Sequence, residues 1–516
     1  MSGNIAIGIQ DFSTIIQGNY FYIDKTPFIK EWWDCGDSAT LITRPRRFGK
    51  SLLISTIEAY FRGKKELFEG LAIGELEKDW LEYPVLHLDL NIGKYDQPDS
   101  LDKILNEALL GWEALYGTRI GEDTLALRFK GVVNRAYKQT GHPVVILVDE
   151  YDKPMLQAIG NEELQREYRN TLKPFYGVLK TMDGCIKFAM LTGVTKFGKV
   201  SVFSDLNNLE DLSMWNEYVP LCGITDKELH ETLEAEMHEF AEAQRLTDEQ
   251  FRNKLREYYD GYHFTHNSVG LYNPFSLLNA FKRKEFGSYW FETGTPTYLV
   301  ELLKKHRYNL ERMADEETDA QVLNSIDSES TNPIPVIYQS GYLTIKGYDE
   351  RFGIYRLGFP NREVEEGFVR FLLPFYANTN KVDAPFEIQN FVREVETGNY
   401  DAFFRRLQSF FADTPYELVR DLELHYQNVL FIVFKLMGFY TKVEYHTSEG
   451  RVDLVLQTNK YIYVMEFKLN GTAEEALQQI NEKQYALPFT ADSRKQFKIG
   501  VNFSTQMRNI ERWIVE

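Results

Sequence analysis

The sequence is poor in cysteine and has no long apolar run. Its three cysteines, Cys35, Cys185 and Cys222, show neither metal-ligand spacing nor a disulfide framework. No apolar stretch approaches the roughly 18 residues that a membrane-spanning helix requires. The first residues also lack the basic segment and apolar core of a signal peptide. These absences predict a cytoplasmic protein without a membrane partner.

Basic residues are outnumbered as well. The chain has 58 lysines and arginines against 76 aspartates and glutamates, which gives a net charge of -18. Proteins that coat nucleic acid nonspecifically are usually basic, because phosphate neutralisation supplies most of that affinity. The composition therefore disfavours such a role for the whole chain. Residues 421–516 are close to neutral, with 11 basic and 12 acidic side chains, so nucleic-acid contact stays open there.

A partial phosphate-binding loop is the most informative motif. The stretch Thr43-Arg-Pro-Arg-Arg-Phe-Gly-Lys-Ser51 follows a short apolar run and opens a helix-like run, which is the context in which such a loop works. The helix start favours an anion, Lys50 adds a positive charge, and Ser51 would offer its hydroxyl to Mg²⁺. Arg44 stands where the first glycine of the motif falls. An ordinary helix start is the alternative, since Gly-Lys-Ser arises often by chance.

Two acids follow a buried strand candidate further along the chain. Pro143–Val148 is an unbroken apolar run, typical of a strand buried on both faces of a parallel sheet. Asp149 and Glu150 stand at its carboxyl end, where open α/β sheets bind ligands. In a nucleotide hydrolase Asp149 would hold Mg²⁺ or its water, and Glu150 would polarise the attacking water. The alternative is a strand that ends in two solvated acids. Because the Gly-Lys-Ser loop precedes these acids in the expected order, this alternative is the less favoured interpretation.

A third strand candidate, Ile186–Leu191, ends at Thr192. A polar residue at the tip of the strand beside the acid-bearing one could sense the terminal phosphate of a nucleotide. Thr192 is our candidate for that role. A threonine at a strand end also occurs without any function, and this alternative stays open.

The chain divides into four predicted segments. Residues 1–224 alternate apolar strands with amphipathic helices and predict an α/β domain with a P-loop NTPase-like parallel sheet. Residues 225–310 have helical periodicity and predict a helical lid. Residues 311–415 form a polar and then mixed connecting region. Residues 416–516 form a compact C-terminal α/β domain.

The C-terminal segment carries a second group of chemical residues on two strand candidates, Arg451–Leu456 and Tyr461–Lys468. Glu466 and Lys468 are two apart on one strand, so both project from the same face, and Asp453 on the neighbouring strand could meet them. Two converging carboxylates suit Mg²⁺. A lysine beside the metal could orient water and stabilise charge on a phosphate. From spacing alone, a surface hairpin with a cross-strand salt bridge is the alternative.

The flanking segments complete a small nuclease-like core. Asp421–Leu436 predicts a helix before the two strands, and Ala473–Tyr485 predicts one after them. The second helix places Gln479 and Lys483 on one face. Phe497–Phe503 then reads as a further strand. Helix, two strands, helix and strand together are the expected order.

These motifs resemble a known two-part family. The N-terminal part is similar to the predicted AAA-ATPase-like domain, and the C-terminal part is similar to the PD-(D/E)XK nuclease superfamily domains commonly fused to it. The N-terminal resemblance rests on Tyr22–Thr26, Thr43–Ser51, Val148–Pro154 and Leu191–Phe197. The C-terminal resemblance rests on Gly450–Asp453, Glu466–Lys468 and Gln479 to Tyr485. Valine replaces the superfamily's proline before Asp453, at a position without a chemical role.

The resemblance implies two sites. ATP and Mg²⁺ would be held by the loop and the acid-bearing strand, and we assign to this site Arg46, Arg47, Gly49, Lys50, Ser51, Asp149 and Thr192. Glu150 would serve hydrolysis. In the nuclease-like site, Asp453 and Glu466 would ligate a metal, with Lys468 and Gln479 as the further catalytic residues. Whether the loop arginines grip phosphate or only shape the loop is left open by the sequence.

The expected function is an ATP-binding module coupled to a Mg²⁺-dependent nuclease, with DNA rather than RNA as its substrate. An arginine finger from a neighbouring subunit is common in such ATPases, which is compatible with a homo-oligomer. The alternative is a nucleotide-operated regulatory or scaffolding protein whose nuclease-like domain binds without cutting.

Overall fold

A computed structural model of the protein divides the chain into two units. The first contains Met1–Thr293 and Glu316–Glu363, and the second contains Gly294–Asp315 and Val364–Glu516. The structure describes residues 4–35, 39–197, 206, 208–291, 297–324, 326, 332–377, 383–412, 422–448, 451–469 and 471–516. Within these ranges, the side chains not described are those of residues 32–35, 297–298, 385, 445, 447–448 and 451–453.

A five-stranded parallel sheet organises the first unit. Its strands are β1 (Ala39–Thr43), β2 (Val85–Asp89), β3 (Val144–Asp149), β4 (Ile186–Gly193) and β5 (Leu209–Asp211), in the spatial order β2-β3-β4-β1-β5. Every residue of β1 and β3 is buried, as their mainly apolar sequences predict for strands covered on both faces. The predicted α/β fold class is thereby confirmed.

Helices precede, connect and follow these strands. They are α1 (Phe12–Gln17), α2 (Pro27–Cys35), α3 (Lys50–Phe61), α4 (Ala72–Leu76), α5 (Ser100–Tyr116), α6 (Leu125–Thr140), α7 (Lys153–Gln157) and α8 (Glu162–Thr181). Because all strands run the same way, their carboxyl ends lie along one edge of the sheet. The register pairs Thr43 with Gly193, and Val148 with Leu191, so the loop after β1 lies near the residues that follow β3 and β4.

A helical region follows the sheet in the first unit. It contains the short strands β6 (Ile224–Thr225) and β7 (Leu271–Tyr272) and the helices α9 (Asp226–Ala243), α10 (Asp248–Tyr259) and α11 (Pro274–Arg283). Thr225 caps α9 in a reciprocal box with Glu228, which satisfies backbone donors of the first turn. Leu229, Phe240 and Phe251 are among the side chains that form the core between these helices.

Residues 316–363 belong to the first unit, although the sequence places them in the connecting region. They form an antiparallel sheet and two short helices, namely β8 (Glu316–Asp319), β9 (Thr344–Asp349), β10 (Ile354–Gly358), α13 (Ala320–Asn324) and α14 (Ile334–Gln339). A hydrogen bond from Lys196 N–H to Gln339 Oε1, at 2.6 Å, connects them to the segment that follows β4. The four-segment division of the chain stays a prediction. Residues 316–363 are grouped with the first unit by long-range contacts, which the order of the sequence does not show.

The second unit is built on a mixed five-stranded sheet. Its strands, in spatial order, are β11 (Lys442–Ser448), β12 (Arg451–Gln457), β13 (Tyr461–Leu469), β14 (Lys495–Ser504) and β15 (Asn509–Val515). Only the β13–β14 pair of this sheet is parallel. The unit also contains α12 (Thr297–Lys305), all but the first two residues of α15 (Arg362–Tyr376), α16 (Ala384–Glu396), α17 (Tyr400–Ala412), α18 (Leu422–Gly438) and α19 (Ala473–Glu482).

The expected order of helix, two strands, helix and strand is present as α18, β12, β13, α19 and β14. Helix α19 makes the crossover that the parallel pair requires. The flanking strands β11 and β15 were not predicted from the sequence. Among the helices that the structure describes, none has both the length and the apolarity needed to cross a bilayer.

Candidate nucleotide and nuclease sites

The loop between β1 and α3 carries two left-handed backbone positions. Gly49, which precedes the first turn of α3, has φ +93°, a conformation that glycine adopts without a steric penalty. An added Cβ would meet nothing within 4 Å, so backbone conformation rather than space favours glycine there. Arg47 has φ +68°, which costs a non-glycine residue roughly 1 kcal/mol. Strained positions of this kind cluster at ligand-binding loops.

Lys50 lies folded back on this loop. Its side chain is only 4% exposed, and Nζ donates hydrogen bonds to the carbonyls of Arg44 at 3.1 Å and Pro45 at 3.2 Å. The same ammonium lies 3.5 Å from Glu150 Oε1. Ser51 is partly exposed in the first turn of α3. The sheet therefore brings the predicted phosphate-binding lysine to the predicted hydrolytic glutamate.

The ends of β3 and β4 meet through a hydrogen bond between two predicted site residues. Thr192 Oγ1 donates to Asp149 Oδ1 at 2.5 Å, and both side chains are buried. Glu150, the next residue after β3, has φ +56°, a left-handed conformation that turns the chain at the strand end. Lys50, Asp149, Glu150 and Thr192 are thus assembled at one edge of the sheet.

Arg44 occupies the interior behind the loop. Its guanidinium is 1% exposed and donates to three backbone carbonyls, those of Thr43 and Ser213 at 2.9 Å and that of Tyr218 at 3.2 Å. It also lies over the Phe264 ring, 4.3 Å from the centroid. Burial lowers the pKa of Arg44. These bonds make the arginine a brace for the loop, where the usual motif has glycine.

The other two loop arginines contact aromatic side chains. Arg46 Nη2 lies 3.4 Å from the Tyr342 hydroxyl, and the Arg47 guanidinium lies 4.9 Å from the centre of the Phe275 ring. The Arg46 carbonyl accepts a bond from Trp290 Nε1 at 2.9 Å. Arg47 is exposed and Arg46 is partly exposed. Of the three arginines, these two are the ones that an anion at the loop could reach.

Asp152 is a site neighbour that our sequence reasoning missed. It is fully buried and accepts bonds from Val194 N–H at 3.1 Å, from Thr195 N–H at 2.6 Å and from Thr195 Oγ1 at 2.5 Å. Burial, with a contribution from the Glu150 charge, raises the pKa of Asp152 to about 6. A Cβ at Gly193 would lie 2.5 Å from Asp152 Oδ1. The second aspartate in Asp-Glu-Tyr-Asp was the available signal for this contact between the segments after β3 and β4.

The second site lies on paired strands of the second unit. The antiparallel register places Asp453 of β12 directly opposite Glu466 of β13. Glu466 is 0% exposed, and its Oε1 lies 3.5 Å from Lys468 Nζ. That ammonium donates to Gln479 Oε1 at 2.6 Å. The Asp453 side chain, and Gly450 of the same motif, lie outside what the structure describes.

Helix α19 closely approaches the sheet beside this pair. Gly500 of β14 is the register partner of Glu466. A Cβ at Gly500 would lie 2.1 Å from the Ala473 carbonyl oxygen and 2.5 Å from Leu477 N, both in the helix backbone. Glycine at this position is thus required for the close packing that holds Gln479 against Lys468.

Both donor sets fit divalent metal ions. Asp453 and Glu466 would supply oxygen ligands, the kind that Mg²⁺ prefers, from adjacent strands, and Lys468 lies beside Glu466. Ser51 and Asp149 could hold a Mg²⁺ ion with bound nucleotide, as in other phosphate-binding loops. Among the described side chains, no group of three His, Cys, Asp or Glu is arranged to hold a metal, and Asp453 is not part of that set.

Comparison with known proteins gives the same two parts. Residues 6–203 match the family model described as Predicted AAA-ATPase, and residues 421–513 match the PD-(D/E)XK nuclease superfamily. A relative described as "Uncharacterized protein in vnfD 5'region", from Azotobacter chroococcum mcd 1, is 35% identical over 533 residues, covering 99% of this chain and 98% of the relative. The chain belongs to this AAA-ATPase-like and nuclease-like family.

One solved structure from the comparison is that of the Aeropyrum pernix ORC2 protein in ADPNP-ADP complexes. It is 10% identical, with a TM-score of 0.26, and the match covers 65% of this chain and 88% of the ORC2 chain. The AAA-ATPase-like part of the family corresponds here to the sheet with the Lys50 loop. The nuclease-like part corresponds to α18, the five-stranded mixed sheet and α19.

Proposed function

We propose that this protein is a cytoplasmic, nucleotide-controlled nuclease that hydrolyses phosphodiester bonds of DNA with the help of Mg²⁺. The observation that carries the proposal is the pairing of Asp453 with Glu466, with Lys468 two residues further on. The first unit would bind ATP through Lys50, Ser51 and Asp149. A homo-oligomer that supplies an arginine finger belongs to the same proposal.

The nuclease assignment is supported by what each residue could contribute. Asp453 and Glu466 would hold the metal ion, which supplies charge stabilisation for a phosphate when it is bound. Lys468 would stabilise the charge that builds on the phosphate during hydrolysis. Gln479, whose Oε1 accepts from Lys468 Nζ, would position that ammonium. The near-neutral charge of residues 421–516 allows a polyanionic substrate in this part of the chain.

The nucleotide assignment is supported by the assembly at the sheet edge. Lys50 would move from the Arg44 and Pro45 carbonyls to a phosphate, and Gly49, Arg46 and Arg47 would line the loop around it. Glu150, now 3.5 Å from Lys50, would be released to orient the attacking water. Thr192, bonded to Asp149, would sense the terminal phosphate.

A second candidate function is regulation or scaffolding by a nuclease-like domain that binds without cutting. One observation favours it, namely the full burial of Glu466 beside the Lys468 ammonium. An internal positive charge next to the carboxylate partly replaces the charge that a metal would supply. This candidate predicts DNA binding without cleavage at any Mg²⁺ or Mn²⁺ concentration.

The cleavage test compares the wild type with Asp453→Asn and Glu466→Gln on linear and supercoiled DNA in Mg²⁺ or Mn²⁺. We expect metal-dependent cleavage by the wild type and loss of that cleavage in both variants, with circular dichroism unchanged. Equal cleavage by the variants would contradict the site assignment. Binding without cleavage by the wild type would instead favour the scaffolding function.

The nucleotide test measures binding and hydrolysis separately. We expect Lys50→Ala to lose ATP binding, because it removes the fixed positive charge of the loop. Glu150→Gln should keep ATP binding and lose hydrolysis, because it leaves the phosphate contacts in place. Equal ATP affinity in wild type and Lys50→Ala would remove the phosphate-loop assignment.

A further inference from the structure

A histidine lies in the same row of the second sheet as the two predicted metal-binding acids. The register pairs His446 of β11 with Asp453 of β12, and Asp453 with Glu466 of β13. Residues paired directly across adjacent strands share a face of the sheet, with Cβ atoms roughly 5 Å apart. The row His446, Asp453 and Glu466 therefore crosses three strands on one face.

The row runs from solvent to the interior. His446 is exposed on the edge strand β11, whereas Glu466 is fully buried on the central strand β13. Beyond Glu466 the row continues to Gly500 of β14 and Ile514 of β15, and α19 covers the sheet at Gly500. The accessible side of the Asp453–Glu466 pair is thus the side of β11, and His446 is the residue that this strand contributes to the row.

We propose that His446 is a third ligand of the metal held by Asp453 and Glu466, an inference that rests on the proposed metal-dependent function of that pair. Adjacent strands are separated by about 4.8 Å, so the backbones of β11 and β13 are roughly 10 Å apart. Side chains of glutamate and histidine reaching towards the middle strand can span that separation and share one cation. The imidazole supplies the neutral nitrogen ligand of a mixed nitrogen and oxygen set.

A nitrogen ligand changes which metal the site prefers. Mg²⁺ favours all-oxygen surroundings, whereas Mn²⁺ and Co²⁺ accept imidazole more readily. The wild type should therefore bind Mn²⁺ and Co²⁺ more tightly than Mg²⁺. Removal of the imidazole should reduce affinity for Mn²⁺ and Co²⁺ more than affinity for Mg²⁺.

The test uses the full chain without nucleotide and one equivalent of Mn²⁺. Titration calorimetry gives the affinity, and pulsed electron paramagnetic resonance detects the ¹⁴N modulation of a directly bound imidazole. We expect His446→Gln to weaken Mn²⁺ binding by about tenfold and to abolish that modulation. His306→Gln, which changes a partly exposed histidine of the same unit, should alter neither quantity.

The outcomes separate this inference from the function on which it rests. If Asp453→Asn loses Mn²⁺ while His446→Gln keeps the affinity and the ¹⁴N signal, the metal site stands and the role of His446 is refuted. If the wild type binds no Mn²⁺, the metal-dependent function fails and the third ligand fails with it. Loss of the signal in His446→Gln alone among the histidine variants supports the inference.

Discussion

The loop of the first unit is held by side-chain hydrogen bonds to distant parts of the chain, whereas the acid pair of the second unit is held by backbone pairing of adjacent strands. Arg44 bonds to the carbonyls of Ser213 and Tyr218, and the Arg46 carbonyl accepts from Trp290. Asp453 and Glu466, by contrast, are placed by the regular ladder of β12 and β13. Both arrangements bring charged groups together at a sheet.

This difference determines what a mutation should disturb. A loop that depends on interior bonds to distant residues should lose stability when one of those bonds is removed. A pair fixed by a strand ladder keeps its position when a neighbouring side chain changes, because the ladder bonds are made by the backbone. Substitutions around the acid pair should therefore reduce catalytic activity before they reduce stability.

The largest effect on stability is expected for Arg44→Met. The change leaves three buried carbonyls without their donor, and we expect it to lower the free energy of unfolding of the first unit by about 3–5 kcal/mol. Urea unfolding followed by tryptophan fluorescence measures it. The matched control is Arg47→Met, an exposed arginine of the same loop, which should stay within about 0.5 kcal/mol of the wild type. Similar values for both variants would contradict the bracing role of Arg44.

Lys468→Met should reduce activity of the second unit by about 10²–10³-fold. The lysine ammonium is 3.5 Å from Glu466 and bonded to Gln479, so its loss removes positive charge where negative charge would develop. DNA cleavage in Mg²⁺ is the measurement, with the fold checked by circular dichroism. Lys483→Met, which alters an exposed lysine at the end of α19, should cleave within about twofold of the wild type, since exposed charges contribute little. Equal losses of cleavage in the two variants would show that overall positive charge, rather than Lys468 itself, supports the reaction.

A smaller, pH-dependent effect is expected from Asp152. Its pKa in the folded protein, about 6, is above the ordinary 3.8, so its contribution to stability is complete below about pH 4 and is lost as the pH rises through 6. The shift corresponds to at most about 3 kcal/mol. We expect the first unit of the wild type to lose about 2 kcal/mol more than Asp152→Asn between pH 4 and pH 7, measured by urea unfolding. Parallel pH profiles would show that burial of this carboxyl is not linked to folding.

The comparison also explains what the sequence could predict. Apolar runs predicted β1, β3 and β4, and the acids at the end of β3 follow directly from that assignment. The two-residue spacing of Glu466 and Lys468 predicted a shared face, and their proximity of 3.5 Å agrees with it. These features depend on periodicity along a single element, which is present in the local sequence.

The partners of the loop could not be predicted in the same way. Arg44 and Ser213 are separated by 169 positions, and Arg46 and Tyr342 by 296. No local pattern encodes such a contact, since it depends on how β5 and residues 316–363 pack around the loop. The edge strands β11 and β15 were missed for a related reason, because their sequences mix polar and apolar residues and their pairing partners identify them.

The most direct test of a nucleotide-controlled nuclease is DNA cleavage by the full chain in Mg²⁺, with and without ATP. The wild type and Lys50→Ala are compared in the same experiment, with Asp453→Asn as the inactive reference. We predict that ATP changes the cleavage rate of the wild type, leaves that of Lys50→Ala unchanged, and produces no cleavage with Asp453→Asn. Wild-type cleavage that is the same with and without ATP, or cleavage that persists in Asp453→Asn, would contradict this account.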